Sequence, residues 1–170
     1  MMKKVITACL VMSMVAVASA GLNVVIQMDG SWQSPENSTF TITPSTNIVW
    51  GIQDDGITPE GLYVLGLVGP GSITEPTDVS GNVSAALTDD PVMADSYNVQ
   101  NPFISMTLNN SVDGILYTST FHCEGQGDVT LYAYNEDFLV EDTQVIHQVP
   151  EPATLALLGI GGLLLRRRSA

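Results

Sequence analysis

Hydrophobic and polar residues alternate at short range through the middle of the chain. In segment 129–134, VTLYAY, the apolar valine, leucine and alanine alternate with a threonine and two tyrosines. Successive side chains of a strand point to opposite faces of its sheet, so this strand has one apolar and one more polar face. Similar short patterns predict nine strands, at 22–28, 38–42, 48–53, 62–68, 83–87, 103–108, 115–121, 129–134 and 144–149.

Clusters of turn-forming residues separate these strands. Glycine, proline, asparagine and aspartate recur between them, because each favours a tight change of chain direction. Helical periodicity is confined to the two ends of the chain, apart from room for one helical turn within 84–95. Many short strands with this punctuation predict an all-β fold, a single antiparallel β-sandwich of jelly-roll type over residues 21–148.

The N-terminus has the order of a secretory signal peptide. Two lysines precede an apolar run over 5–17, and small residues follow at Ala18 and Ala20. This order predicts a signal-peptide helix over 1–20, cleaved so that the mature chain begins at Gly21.

Two other interpretations of this segment are weaker. A buried core helix is disfavoured because the apolar run is not amphipathic. The stretch ITAC at 6–9 resembles a lipoprotein processing site, but Cys9 lies too close to Lys4 to leave room for an apolar segment before it.

The C-terminus combines three features. Pro150 and Pro152 lack amide donors and keep the chain before them extended. The uncharged stretch TLALLGIGGLLL follows at 154–165, and as a helix it would span about 18 Å, less than the roughly 30 Å of bilayer hydrocarbon. Three consecutive arginines follow and would stop transfer of the chain across the membrane, so that they stay on the cytoplasmic side. An apolar segment that ends in three charges is also unlike an ordinary core helix. The three arginines are Arg166, Arg167 and Arg168.

In this order, behind a signal peptide, the three features resemble the PEP-CTERM sorting signal of bacterial surface proteins. The resemblance implies that 149–170 is a sorting and anchor segment, processed by an exosortase near Pro150, Glu151 and Pro152. It implies export through the secretion machinery, transient anchoring in the inner membrane with the arginines as stop-transfer residues, and delivery to the cell surface or extracellular matrix. The implied host is a Gram-negative-type bacterium.

Charge is distributed very unevenly along the chain. The sequence has 18 acidic and 5 basic residues, for a formal net charge of −13. All five basic residues lie at the two tips, whereas 21–149 contains 17 of the acids and neither Lys nor Arg. Binding to nucleic acid is excluded because neutralising phosphates requires Lys and Arg, and adsorption of this region to an anionic membrane is disfavoured.

A second resemblance covers roughly the last quarter of the chain before the tail. A strand ending in the aromatic Phe121 is followed by a turn, and the Gly127-Asp128 pair opens the next strand. This pattern is similar to the last strands of cohesin-like or carbohydrate-binding-module-like sandwiches of secreted bacterial proteins. The resemblance implies fold far more than function.

Candidate catalytic groups are sparse. Paired acids occur at 54–55, 89–90, 136–137 and 141–142, but neighbouring strand residues point to opposite faces and do not form the facing carboxylates of a glycosidase. We therefore expect solvated turn charges and no enzyme activity. Calcium, which takes oxygen ligands, is the alternative use of Asp54-Asp55 or Asp89-Asp90, although no EF-hand or dockerin pattern is present.

A zinc site is also disfavoured. His122 and Cys123 are neighbours on one strand, His147 lies far along the chain, and none has the spacing of zinc ligands. After signal removal Cys123 is the only cysteine, so no internal disulfide can form. A nucleophilic thiol needs an electropositive setting, which this region lacks.

The aromatic residues offer one binding hypothesis. Tyr132 and Tyr134 share the more polar face of their strand, where their rings are candidates for stacking on sugar rings. The leading interpretation is an exported, non-enzymatic surface or matrix protein without a cofactor. The alternative is a secreted module that binds extracellular polysaccharide or, like cohesins, a surface protein. A hydrolase is the third and weakest interpretation.

Overall fold

The computed structural model describes residues 21–33, 40–43 and 46–149. The expected signal-peptide helix and the C-terminal hydrophobic helix lie outside these ranges. Within them, no helix combines the length and apolar character that a membrane crossing requires.

The described ranges contain twelve strands and one short helix. In chain order they are β1 (Asn23–Met28), β2 (Ser31–Gln33), β3 (Phe40–Ile42), β4 (Asn47–Asp55), β5 (Gly61–Val68), β6 (Gly71–Ile73), β7 (Thr77–Asp78), β8 (Val83–Thr88), α1 (Pro91–Tyr97), β9 (Phe103–Leu108), β10 (Asp113–Cys123), β11 (Gly127–Asn135) and β12 (Val140–Gln148).

The strands form two six-stranded sheets that pack face to face. The first sheet has the order β2-β1-β4-β10-β6, and β7 also pairs with β10. The second has the order β3-β12-β11-β5-β9-β8. All pairs are antiparallel except β3 with β12, where an edge strand joins in parallel. The predicted all-β sandwich is confirmed.

A single apolar layer lies between the sheets. Trp50 and Tyr117 of the first sheet are fully buried and meet edge to face, with ring centroids 6.0 Å apart. Leu65 and Leu131 of the second sheet are also fully buried and belong to the same cluster. Each large side chain removed from water contributes about 1.5–3 kcal/mol. In β11 the predicted apolar positions face this core, and both tyrosines face outward.

The short helix covers part of the outer face of the second sheet. Asp90 caps it by accepting hydrogen bonds from the backbone N–H groups of Val92 and Met93, and Asn98 ends it in the left-handed conformation. Ala94 and Tyr97 pack there in a second cluster, separate from the main core. The helical turn expected within 84–95 is thus present from Pro91 onward, after β8 ends at Thr88, and it continues to Tyr97.

Three short strands were not predicted from the sequence. β2, β6 and β7 have two or three residues each and lie at or near the edges of the first sheet, against β1 or β10. Two or three residues are too few to show an alternation of apolar and polar positions. These strands are defined only by their pairing with a longer neighbouring strand.

Among the described residues, one carboxylate is fully buried, that of Asp54 at the end of β4, in contrast to the solvated turn charge expected there. It accepts hydrogen bonds from the Thr58 hydroxyl (2.5 Å) and the backbone N–H of Gly56 (3.1 Å). It also accepts from the Ser111 hydroxyl (2.7 Å) and the Val112 N–H (2.8 Å). Burial raises the pKa of Asp54, but these four hydrogen bonds outweigh that effect and hold the pKa below its usual value. The carboxylate therefore ties the turn after β4 to the β9–β10 connection.

We predict that Asp54→Asn destabilises the body by about 1–3 kcal/mol at neutral pH, because an amide cannot accept all four bonds. The pKa of the Asp54 carboxyl is lower in the folded state than its value of about 3.9 in the unfolded state. The carboxylate therefore stabilises the folded state fully above about pH 3.9, and this contribution is lost as the pH falls through the folded-state pKa. The difference between wild type and variant in urea unfolding should therefore shrink below about pH 4. Asp113→Asn, at an exposed position, is the control; equal stability of wild type and Asp54→Asn at pH 7 would contradict the assignment.

Candidate functional site

The predicted sorting and cleavage residues lie outside the described residues, so their positions stay predictions. The structure instead describes the strand that comes directly before the sorting residues in the sequence. The residues concerned are Ala18, Ala20, Pro150, Glu151, Pro152, Arg166, Arg167 and Arg168.

The last described strand ends close to the Pro-Glu-Pro segment in the sequence. β12 ends at Gln148, which pairs with Gly127 of β11 and Ile42 of β3. The backbone N–H of Val149 donates to the carbonyl of Ile42 at 2.8 Å. Only Val149 separates the last strand residue from Pro150.

Gln148 is 4% exposed, which is unusual for an uncharged polar residue at a strand end. Its Nε2 donates to the carbonyl of Pro70 at 2.7 Å, and its Oε1 accepts from the N–H of Gly125 at 3.3 Å. The Cys123 thiol also contacts Oε1. We call these four residues the Gln148 clamp. It joins the end of β12 to the β5–β6 and β10–β11 turns.

The predicted opposite orientation of His122 and Cys123 is observed. Cys123 is fully buried, whereas His122 lies at the surface and contacts Asn47. His147 contacts Asp128 across the β11–β12 pair. Neither histidine approaches the thiol as a fellow ligand, and within the described residues no three His, Cys, Asp or Glu side chains are grouped to hold a metal ion.

The acids considered for calcium have protein partners. Asp54 is the buried acceptor described above, Asp90 caps α1, and Asp89 contacts the Asn101 side-chain amide. Asp55 accepts from the N–H of Ile57 at 3.0 Å. These carboxylates stabilise turns and a helix end of the fold.

The outer face of the second sheet carries a row of four aromatic rings. Tyr132 and Tyr134 are stacked, with centroids 5.5 Å apart and an interplanar angle of 21°. Tyr134 meets Tyr97 of α1 at 5.6 Å, and Tyr97 stacks on Phe138 at 4.5 Å and 29°. The structure thus brings the two predicted tyrosines together with two further rings, those of Tyr97 and Phe138.

The four rings differ in exposure. Tyr97 and Tyr134 are buried, at 5% and 8% exposed, because α1 and its neighbours cover them. Phe138 is 55% exposed, and Tyr132 is half-buried. Solvent therefore reaches mainly Tyr132 and Phe138, while Tyr134 supports the helix from below.

Phe138 lies in the β11–β12 turn with a φ of 63°, a left-handed conformation that is rare for a bulky residue. The Asn135 side chain holds this turn, since its Oδ1 accepts from the N–H groups of Asp137 and Leu139, both at 3.0 Å. Its amide donates to Glu141 at 2.7 Å. The turn thus fixes an exposed ring in a strained backbone position.

Beside this turn lies an acidic cavity of about 140 Å³. Tyr63 lines it and donates its hydroxyl to the carbonyl of Pro59 at 2.7 Å. Burial, and then the charges of Glu141, Asp54 and Glu136, raise the pKa of Tyr63 to about 12. Burial raises the pKa of Tyr97 as well, with Glu136 and Asp137 adding to it. The electrostatic potential around the aromatic row is therefore negative.

A larger cavity, of about 300 Å³, lies beside the β5–β6 and β10–β11 turns, and most of the residues that line it are uncharged. Its polar groups are one hydroxyl, two side-chain amides and one carboxylate. They belong to Ser72, Gln100, Asn101 and Glu124.

Comparison with protein families identifies the class of the tail. Residues 148–168 match the PEP-CTERM protein-sorting motif, so the chain carries this sorting signal at its C-terminus. A search of curated proteins found no match to this chain.

Solved structures with similar folds are β-sandwich domains of low sequence identity. The C-terminal domain of the Streptococcus pyogenes antigen I/II-family protein AspA is 15% identical, with a TM-score of 0.50, over 78% of this chain and 53% of that one. A non-cellulosomal cohesin from Archaeoglobus fulgidus is 11% identical, with a TM-score of 0.44, over 81% and 97%. The sixth cohesin of Acetivibrio cellulolyticus scaffoldin B is 10% identical, with a TM-score of 0.41, over 76% and 99%. These similarities concern the fold.

We predict that Phe138→Gly is more stable than Phe138→Ala by about 1 kcal/mol. Both variants lose the ring contact with Tyr97, but only glycine relieves the left-handed backbone at this position. Urea unfolding of the two variants measures the difference. If the alanine variant were equally stable or more stable, the turn would not be strained at Phe138.

Proposed function

We propose that this protein is an exported, non-enzymatic surface or matrix protein that an exosortase processes at its C-terminal sorting signal. The observation that carries the proposal is the PEP-CTERM motif match over 148–168. The signal peptide expected over 1–20 supplies the matching entry into the export route.

The ends of the folded body support both processing boundaries. Leu22 is buried, and the N–H of Gly21 lies 3.3 Å from a carboxylate oxygen of Asp55. The residue expected to follow signal cleavage is therefore bonded to the sandwich. At the other boundary, Gln148 and Val149 pair with neighbouring strands, and Pro150 follows them directly in the sequence.

The two boundaries lie at opposite ends of the sandwich. β1 begins opposite the end of β4, since Asn23 pairs with Gln53, near the turn after Asp55. Gln148 pairs with Gly127 at the start of β11, whereas the end of β11 approaches the start of β5 through the Asn135–Tyr63 pair. An anchor following Gln148 would therefore hold the N-terminal end of the body away from the membrane.

The negative charge of the body fits a role at the cell surface or in the extracellular matrix. No Lys or Arg occurs within 21–149 to balance its 17 acids, so the domain repels other copies of itself and stays dispersed. Binding of divalent cations between such polyanionic domains would be diffuse.

We predict that replacing Pro150, Glu151 and Pro152 with alanine leaves the chain uncut and in the membrane fraction of a host with the exosortase. The wild-type chain should lose its tail and leave that fraction. Intact mass and fractionation measure both outcomes, and Glu124→Ala, an exposed acid of the body, is the control. Normal release of the triple variant would contradict the proposed processing.

Carbohydrate binding is a second candidate function, favoured by the aromatic row. Tyr132 and Phe138 expose ring faces of the kind that stack on sugar rings, and nearby carboxylates can accept hydrogen bonds from sugar hydroxyls. The negative potential around Tyr63 and Tyr97 disfavours acidic polysaccharides. The row therefore fits a neutral polysaccharide, with Tyr134 acting mainly as a support for Tyr132.

We predict that Tyr132→Ala weakens retention on an insoluble neutral polysaccharide about fivefold, whereas Tyr132→Phe retains binding. A stacking contact of about 1 kcal/mol corresponds to this factor. Tyr134→Ala is a poorer test by itself, because that ring packs under α1 and its loss would also disturb the helix. Undiminished retention of both Tyr132→Ala and Phe138→Ala would exclude the aromatic row as the binding surface.

A further inference from the structure

The sorting signal overlaps the folded body. The motif match begins at residue 148, and Gln148 is a buried residue of the last strand. Apart from Val149, no spacer separates the sandwich from Pro150. A protease acting near Pro150 therefore works on a chain whose upstream side is fixed in the fold.

Each residue from 146 to 149 is fixed by its own contacts. Ile146 is fully buried in the core, and His147 contacts Asp128. Gln148 is held by the clamp through Pro70, Gly125 and Cys123. The Val149 N–H is bonded to a neighbouring strand.

An extended peptide that enters a binding cleft forms backbone hydrogen bonds with that cleft. The backbone of the end of β12 already pairs with β11 on one side and β3 on the other. These pairings prevent a cleft from engaging the residues just before Pro150 while β12 is in place.

We propose that the end of β12 gates the removal of the sorting tail, so that the Gln148 clamp must open before the chain is cut. This inference rests on the proposed processing by an exosortase. The body would then control its own release, because proteins open locally in small units while the remaining fold persists. When reclosing is faster than cutting, the cleavage rate follows the population of the open form.

The test measures processing of the full-length chain in membranes of a host with the exosortase, by pulse-chase and intact mass. Gln148→Ala removes the side-chain bonds of the clamp and should accelerate tail removal about tenfold, the factor given by roughly 1.4 kcal/mol of lost hydrogen bonding. A second variant inserts Gly-Ser-Gly-Ser between Val149 and Pro150 and leaves the clamp intact. It should be cut at least as fast as Gln148→Ala, because the spacer supplies free chain.

Ser111→Ala is the matched control. It also removes a side-chain hydrogen bond of the fold, the 2.7 Å bond to Asp54, but at the end of the sandwich opposite to Gln148. A general loss of stability would accelerate both single variants, whereas the gate predicts acceleration by Gln148→Ala only. Adding Gln148→Ala to the spacer variant should give no further increase.

Wild-type processing rates for both Gln148→Ala and the spacer variant would overturn the gate and leave the proposed function intact. Equal acceleration by Ser111→Ala and Gln148→Ala would also overturn it. If neither wild type nor the spacer variant were ever cut, the proposed function itself would fail, and the gate with it.

Discussion

The absence of Lys and Arg from residues 21–149 is the constraint on which the rest of the structure depends. A buried carboxylate usually needs a cation or several hydrogen-bond donors, and here only the donors are available. The fully buried carboxylate of Asp54 accordingly accepts four hydrogen bonds from neutral groups. Asp90 caps a helix and Asp78 accepts from the N–H of Gly81 at 2.9 Å, so acids in this fold order turns and helix ends.

The same constraint leaves an uncompensated negative surface. Glu136 and Asp137 precede Phe138 in the β11–β12 turn. With burial as the larger cause, the charges of Glu136, Asp137 and Glu141 raise the pKa values of Tyr63 and Tyr97. A binding surface here combines aromatic faces with acceptors, which suits neutral hydroxyl-rich ligands and repels anions. Discrimination between neutral and anionic ligands on this face would follow from the lack of Lys and Arg in the whole body as much as from any single side chain.

Local pattern was sufficient for most of the fold. The strand predicted at 103–108 has the observed bounds, and the alternation in 129–134 correctly assigned the core face of β11. The Asp90-Pro91 pair is also a recognisable helix start, with Asp90 as the cap and Pro91 opening α1. Sheet order and the parallel pairing of β3 were not predictable in this way, because they depend on contacts between residues distant in the chain.

The candidate sites also divide into one that local sequence reveals and one that depends on contacts between distant residues. The tail was recognisable from sequence because its features are contiguous, and the motif match confirms it. The clamp was not, since Gln148 meets Pro70 and Gly125 only after the end of β12 and two turns come together at one end of the sandwich. The tail could have followed a flexible spacer, and its sequence would read the same. Because the described fold includes Val149, the proposed gate would couple cutting of the tail to a prior opening of the last strand.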